Sequence, residues 1–396
     1  MVTSRCPWPA NSGAERRVYQ HLMMLRGHFR VVLVTSSVGI DGVDAGAVDE
    51  LRDIVDNLVV VPPSRLGRVN TLEAARLAPL QVIRVANASL TAALRAAELR
   101  YTSVCSYYSL IRTGPCLQGR QSPALLDYCD ALSLQFARKA RYHIGAWRAI
   151  YRLEAHLLKH YERRLGAQVD AACVTSPTDQ QHLLPTLTTV LPNAFDMREP
   201  RSRTASSRMG KIPGPLSVVF TGDMSTRYSE DAAVWFAKNV LLLIKASVPE
   251  VDFWIVGREP TVGIQQLARD DPGVHVTGAV DAVSAYLDAA SVAVVPLLYG
   301  TGIKTKILDA FARSVPVVAT TIADDGIWGA RDGALVVADT ASEMAEQTIA
   351  LLKSPARRVD LGARGKAFGE AHYSGGAVAN ALLGCVDLAR KNFTLR

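Results

Sequence analysis

No uninterrupted apolar stretch of about 18 residues, the length a membrane-spanning helix needs, occurs in the 396-residue chain. The opening residues Met1-Val2-Thr3-Ser4-Arg5-Cys6-Pro7 also lack the apolar core of a secretory signal. A cytoplasmic protein is the expectation. Six cysteines, at positions 6, 105, 116, 129, 173 and 385, never fall at the two-residue spacing of a zinc knuckle or a thioredoxin-type motif. They read as small buried hydrophobes in a reducing compartment. His156 and His160 stand four residues apart, but no third-ligand motif accompanies them, so a zinc site is not indicated. There is no nucleic-acid motif and no interleaving of aromatic with basic residues, which excludes nucleic acid as a partner.

The composition is that of a globular protein, 49% hydrophobic and 20% charged, and the length is enough for two domains with separate cores. The net charge of +7 is unevenly spread. Residues 138–164 hold eight Lys and Arg against Glu154 and Glu162, a pattern suited to anionic lipid or a phosphorylated substrate, or simply to a solvated helix face. Short β-branched runs alternate with longer helical patterns. They include residues 31–35, 58–61, 171–174 and 189–191, then 218–220, 253–256, 274–276, 292–295 and 317–319. Near-continuous apolar strands imply a parallel sheet covered on both faces, and strand–helix alternation implies doubly wound α/β domains. Leu191-Pro192-Asn193-Ala194 reads as a strand end and turn. Residues 198–215 are polar and aperiodic and read as a mobile loop before a fresh strand at Ser217.

In open parallel sheets ligands bind beyond the carboxyl ends of the strands. Two strand-to-helix loops stand out. The first, Pro7 to Ala14, carries Gly13, which lets a ligand approach the backbone closely just where a helix starts. The second runs from Pro296 through Gly300, Thr301 and Gly302 into a helix bearing Lys304, Lys306 and Asp309. Glycine amides, helix start and lysines together suit a diphosphate, and Asp309, about one turn deeper, suits a ribose diol.

Over nearly its whole length the chain resembles the GT-B glycosyltransferases of family 4, especially bacterial exopolysaccharide-type sugar transferases. Gly300–Phe311 looks like the family's Gly-Ser-Gly-Thr-Arg-x-Lys-x-Leu-Glu-Ala-Met/Phe motif, continued by Pro316–Thr321 and Ala323–Gly326. Thr221–Met224 with Asp231-Ala232 and Trp235-Phe236, Ile255–Arg258, Pro9–Gly13 with Arg17 and Tyr19, and Leu126–Ser133 resemble further family segments. The departures are Thr301 and Asp309 where the family has paired glutamates, Ala14 for a second glycine, and a short first strand.

The resemblance implies two Rossmann-like domains facing a cleft. Residues 1–192, with a crossover helix at 376–396, would form the acceptor side, and 193–375 would bind the donor. It implies transfer of a hexosyl group from a nucleoside-diphosphate sugar to a hydroxyl acceptor, with retention of configuration and no cofactor or metal. The absence of an Asp-x-Asp motif agrees. Acceptors in the family are often lipid-linked, so a peripheral contact between 138–164 and an anionic membrane is expected. Arg258, Lys304 and Lys306, with Arg227, are assigned to the diphosphate, and Gly300, Thr301 and Gly302 to its cradle. Asp309 is assigned to the ribose and Gly13 to the phosphate or acceptor. Asp130 either orients the acceptor or caps its strand–helix loop. A sugar-nucleotide epimerase and an inactive transferase-like subunit of an assembly complex stay open as alternatives.

Overall fold

The computed structural model describes residues 1–8, 13–36, 45–62, 78–83, 87–101, 105–195, 212–327 and 329–395. Positions 9–12 of the first loop and 196–211 of the polar connection lie outside the described residues. The chain divides into two compact units, Met1–Asn193 with Gly376–Arg396, and Ala194–Gly375.

The first unit is built on a seven-stranded sheet in the order β3-β2-β1-β4-β5-β6-β7. Its strands are β1 Val2–Thr3, β2 Val32–Ser36, β3 Asn57–Val61, β4 Ser106–Ser109, β5 Ala124–Cys129, β6 Ala171–Val174 and β7 Thr189–Val190. All pairings are parallel. The last helix, Gly375–Thr394, packs here. Asn392 Nδ2 donates to the Asp170 carbonyl at 2.7 Å, and the Arg120 guanidinium lies 5.4 Å from the Phe393 ring centroid.

The second unit has a six-stranded sheet in the order β10-β9-β8-β11-β12-β13, again all parallel. Its strands are β8 Ser217–Thr221, β9 Asp252–Val256, β10 Val274–Val276, β11 Val292–Val295, β12 Val317–Ala319 and β13 Val336–Val337. Val292–Val295 and Val317–Ala319 are buried at every position, as strands covered by helices on both faces must be. Phe220, Phe236 and Phe253 are fully buried in one core, each contributing about 1.5–3 kcal/mol of apolar burial.

The core of the first unit holds a charged cluster. Arg17, on the Gly13–Leu25 helix, is 1% exposed. Its Nε donates to Asp127 Oδ2 at 2.7 Å, Nη2 to Oδ1 at 3.1 Å, and Nη1 to Asn193 Oδ1 at 2.9 Å. Tyr107 Oη donates to Asp127 Oδ2 at 2.6 Å. That uses the one phenolic hydrogen, so His21 Nδ1, 2.7 Å from Tyr107 Oη, must carry the hydrogen and donate. His21 Nε2 is buried without a partner among the described residues. Desolvation, then the neighbouring Arg17, lowers the His21 pKa to about 3, so the ring is neutral. Burial alone would raise the Asp127 carboxyl, but Arg17 outweighs it and holds the group well below the usual carboxylate range.

Candidate active site

In the second sheet β8 lies between β9 and β11, so the chain leaves β8 toward one edge and β11 toward the other. This is a topological switch point, and ligands of open α/β sheets bind at the carboxyl ends of such strands. Three segments meet there: Gly222–Met224 after β8, Gly257–Glu259 after β9, and the loop from Pro296 to Lys304 after β11. The first two touch closely. A side chain on Gly257 would put its Cβ 1.7 Å from the Gly222 carbonyl oxygen, so only glycine lets the backbones pass.

Lys306 lies in the first turn of the Thr305–Phe311 helix, with its stem partly exposed and its Nζ enclosed. The ammonium has no hydrogen-bond partner among the described residues. It sits 4.4 Å from the Phe220 ring centroid and 5.7 Å from that of Tyr228, and a Cβ on Gly222 would lie 3.0 Å from it. Desolvation, then Lys304, lowers its pKa to about 7, against the opposing pull of Asp309 and Asp223. The rings replace only part of the lost hydration. A cation held this way has unspent capacity for an anion.

Beside it, Arg258 Nη2 donates to Asp223 Oδ2 at 2.6 Å, while its Nε is buried without a partner among the described residues. Asp223 also accepts from the Ser225 amide at 3.1 Å and from its hydroxyl at 2.7 Å. Burial raises its pKa, but these bonds and Arg258 outweigh it, and the net shift is downward. The carboxylate thus fixes the guanidinium at the strand end.

The glycine-rich turn is braced from within. Gly302 has φ 70°, a left-handed conformation, and Lys304 is buried with its Nζ donating to the Thr301 and Gly302 carbonyls. Lys304 is the N-cap rather than part of the helix, and the helix has only seven residues. Its dipole is correspondingly small, and the cationic character of the site rests on side chains. Thr301 is buried, and its Oγ1 has no partner among the described residues. Asp309 is half-buried one turn beyond. Arg227 opens the Arg227–Trp235 helix, 64% exposed, with Nε 3.2 Å from Asp231 and Nη1 3.9 Å from Glu230. Tyr299 Oη donates to Asp231 at 2.8 Å, linking that helix to the loop.

Gly13 and Asp130 belong to the first unit. Gly13 is exposed at the first turn of its helix, and a Cβ added there would meet nothing within 4 Å among the described residues. Asp130 follows Cys129, whose φ of 61° ends β5 abruptly, and its Oδ1 accepts from Thr175 Oγ1 at 2.9 Å. It does not cap the next helix. The N-cap of Leu132–Tyr142 is Ala131, whose amide donates to Asp179 Oδ1 at 3.0 Å.

The structure therefore brings Arg258, Lys306, Asp309 and the Gly300–Lys304 turn to one end of the second sheet. Sequence reasoning missed the supporting groups: Asp223 as the partner of Arg258, and Phe220 and Tyr228 as the walls around Lys306. Asp223 follows a β-branched run and a glycine, the position where a strand end meets a ligand, and that was its available signal.

Two doubly wound parallel sheets in separate units are the architecture of the GT-B glycosyltransferases, and the solved structures similar to the chain have that fold. Residues 215–354 match the family model described as glycosyl transferases group 1. Sucrose-phosphate synthase from Thermosynechococcus elongatus has a TM-score of 0.70 at 16% identity, covering 100% of this chain and 98% of its own. HepE of Anabaena, solved in complex with UDP and glucose, has a TM-score of 0.64 at 12% identity, covering 95% and 96%. WaaG, a glycosyltransferase involved in lipopolysaccharide biosynthesis, has a TM-score of 0.63 at 13% identity, covering 97% and 99%. No curated protein sequence matches the chain.

Proposed function

We propose that the chain is a retaining, metal-independent hexosyltransferase that moves a sugar from a nucleoside diphosphate to a hydroxyl acceptor. The observation that carries the reading is the enclosed, unpartnered Lys306 Nζ beside the Asp223–Arg258 pair, at the switch point of the sheet within the matched segment. HepE, of similar fold, binds UDP and glucose, which favours a nucleoside-diphosphate sugar as the donor here.

In this reading Lys306 and Arg258 stabilise the charge that grows on the departing diphosphate as the bond to the sugar breaks. Groups fixed before the reaction do this without reorganising. Thr301 Oγ1 and the glycine amides add neutral donors, and Lys304 holds the turn. Asp309 accepts from the ribose hydroxyls, Arg227 lies at the rim, and Gly13 and Asp130 serve the acceptor side. The acceptor is proposed to be lipid-linked, and the protein to work at the cytoplasmic face of an anionic membrane, drawn there by residues 138–164.

The test is incubation with a panel of nucleoside-diphosphate sugars, with and without acceptor, in chelator. Expected is transfer that survives chelation, with product of the donor's anomeric configuration by NMR. Turnover abolished by chelator and restored by manganese or magnesium would overturn the metal-independent reading. A new sugar nucleotide formed without acceptor would mark an epimerase. No calorimetric heat with nucleoside diphosphate would mark an inactive subunit.

Asp309→Asn keeps the size but turns an anionic acceptor into an amide. Donor affinity is expected to fall by about 1.5–3 kcal/mol, the scale of a hydrogen bond to a charged group. Titration calorimetry checks this, and an unchanged Kd would remove Asp309 from the ribose site.

A further inference from the structure

Two consecutive helices, Leu132–Tyr142 and Gly145–Gly166, pack on each other as a hairpin with an exposed turn. Every residue from Ile144 to Ile150 is exposed, so the start of the second helix faces solvent. Such a position calls for polar side chains. This one carries Tyr142, Ile144, Trp147, Ile150 and Leu153, with Ile144 85% and Trp147 61% exposed. At helical spacing Trp147, Ile150, Leu153 and the half-buried Leu157 run along one flank.

The tip is organised. Tyr151 stacks on Trp147 at 5.9 Å between centroids and lies 5.1 Å from His143 and 6.0 Å from Phe136. Lys139 Nζ caps the same ring at 4.5 Å. Arg138, Lys139 and Arg141 precede the turn and Arg148 and Arg152 follow it in sequence, and no Asp or Glu occurs from 131 to 153. An exposed Trp–Ile–Leu surface on a segment whose only charges are basic pairs an apolar body for acyl chains with cations for lipid phosphates. A soluble protein partner would be met by a rim of both signs, and the single sign here favours an anionic surface.

We infer that the 142–153 turn is a wedge that inserts Ile144 and Trp147 below the headgroups of an anionic bilayer while the flanking arginines hold the phosphates. The inference deepens the proposed membrane contact from attraction of charge to penetration, and it is independent of the transfer chemistry.

The test uses the full chain with vesicles of phosphatidylcholine containing phosphatidylglycerol, and with phosphatidylcholine alone. Expected is flotation with the anionic vesicles that raised salt weakens about tenfold or more without abolishing it. Lipids brominated along the tail should quench intrinsic fluorescence, and Trp147→Phe, which keeps the apolar contact, should still float but lose the quenching. Ile144→Ser with Trp147→Ser should bind about tenfold or more weakly, with a thermal melt like the parent's because both side chains are exposed. Its transfer to a water-soluble acceptor should be unchanged.

The wedge is overturned by the absence of flotation at low salt, or by flotation without quenching or with quenching that survives Trp147→Phe. It is overturned equally if the double serine variant floats like the parent. A parent dimer in sedimentation that the double variant dissociates would show that a second copy covers the patch instead. Vesicle binding is read without substrate, so a failure of the transfer assay leaves this result separate.

Discussion

Lys306→Met is expected to move turnover and stability in opposite directions. In the folded chain desolvation and then Lys304 bring Lys306 to a pKa of about 7, against a reference value of 10.5 when unfolded. The sign follows from linkage. The folded state disfavours the charged form, so the stability associated with this group is full above the unfolded pKa and is lost as pH falls through the folded one. At pH 7 most of that loss has occurred, and removing the amine should stabilise the free protein by a few kcal/mol. Turnover should fall about 10²–10³-fold, the scale of losing one donor aimed at developing charge. Because that charge peaks as the bond breaks, the fall should appear in kcat more than in donor Kd. A bound diphosphate raises the Lys306 pKa, so donor binding should take up a proton above pH 7 and weaken as pH rises. Titrations in buffers of different ionisation enthalpy measure that uptake, which Lys306→Met should abolish. A variant that loses both stability and turnover would show that the lysine is structural. One that loses affinity alone would make it a ground-state anchor.

The strands rich in β-branched residues were legible because their fully buried positions leave an unbroken apolar run. Val292–Val295, Val317–Ala319 and Ala171–Val174 are of this kind. β4 and β5 were not, and the reason is chemical. Ser106-Tyr107-Tyr108-Ser109 has hydroxyls at each position, and Ala124–Cys129 carries Asp127 in the middle of its run. Both are nonetheless buried, because the polar atoms find partners on distant segments: Ser106 on Ser122 and Glu98, Asp127 on Arg17 and Tyr107. No local pattern encodes a partner 110 residues away.

The candidate site shows the same division. The Gly300–Asp309 loop and helix are contiguous, and their spacing could be read directly. The Asp223–Arg258 bond spans 35 residues, and the inward turn of Lys304 onto its own loop depends on a left-handed Gly302. A lysine before a helix reads alike whether it faces a ligand or braces a turn.

Arg17→Met tests the buried cluster that ties the first helix to β5. It leaves Asp127 ionised and buried without its principal cation, and the first unit is expected to lose about 3–5 kcal/mol, the cost of breaking a buried pair from one side. Arg17→Met with Asp127→Leu removes both charges and should be less destabilising than Arg17→Met alone. The pH dependence carries a separate signature. His21 has a folded pKa of about 3 against 6.5 unfolded, so its contribution is complete above pH 6.5 and drains away as pH falls toward 3. Asp127, also depressed, adds its loss only below the ordinary carboxylate value of 3.8. Glu162, raised to about 7 by burial, gains stability as pH falls over the same range, so the His21 share is read as the difference in urea unfolding between the parent and His21→Gln from about pH 6.5 downward. His21→Gln keeps a donor for Tyr107 but has no proton to gain, so between pH 6.5 and 4 its stability should fall less, or rise more, with falling pH than the parent's. A cost below about 1 kcal/mol for Arg17→Met would mean that water reaches Asp127. An unchanged slope in His21→Gln would place the titration on another group.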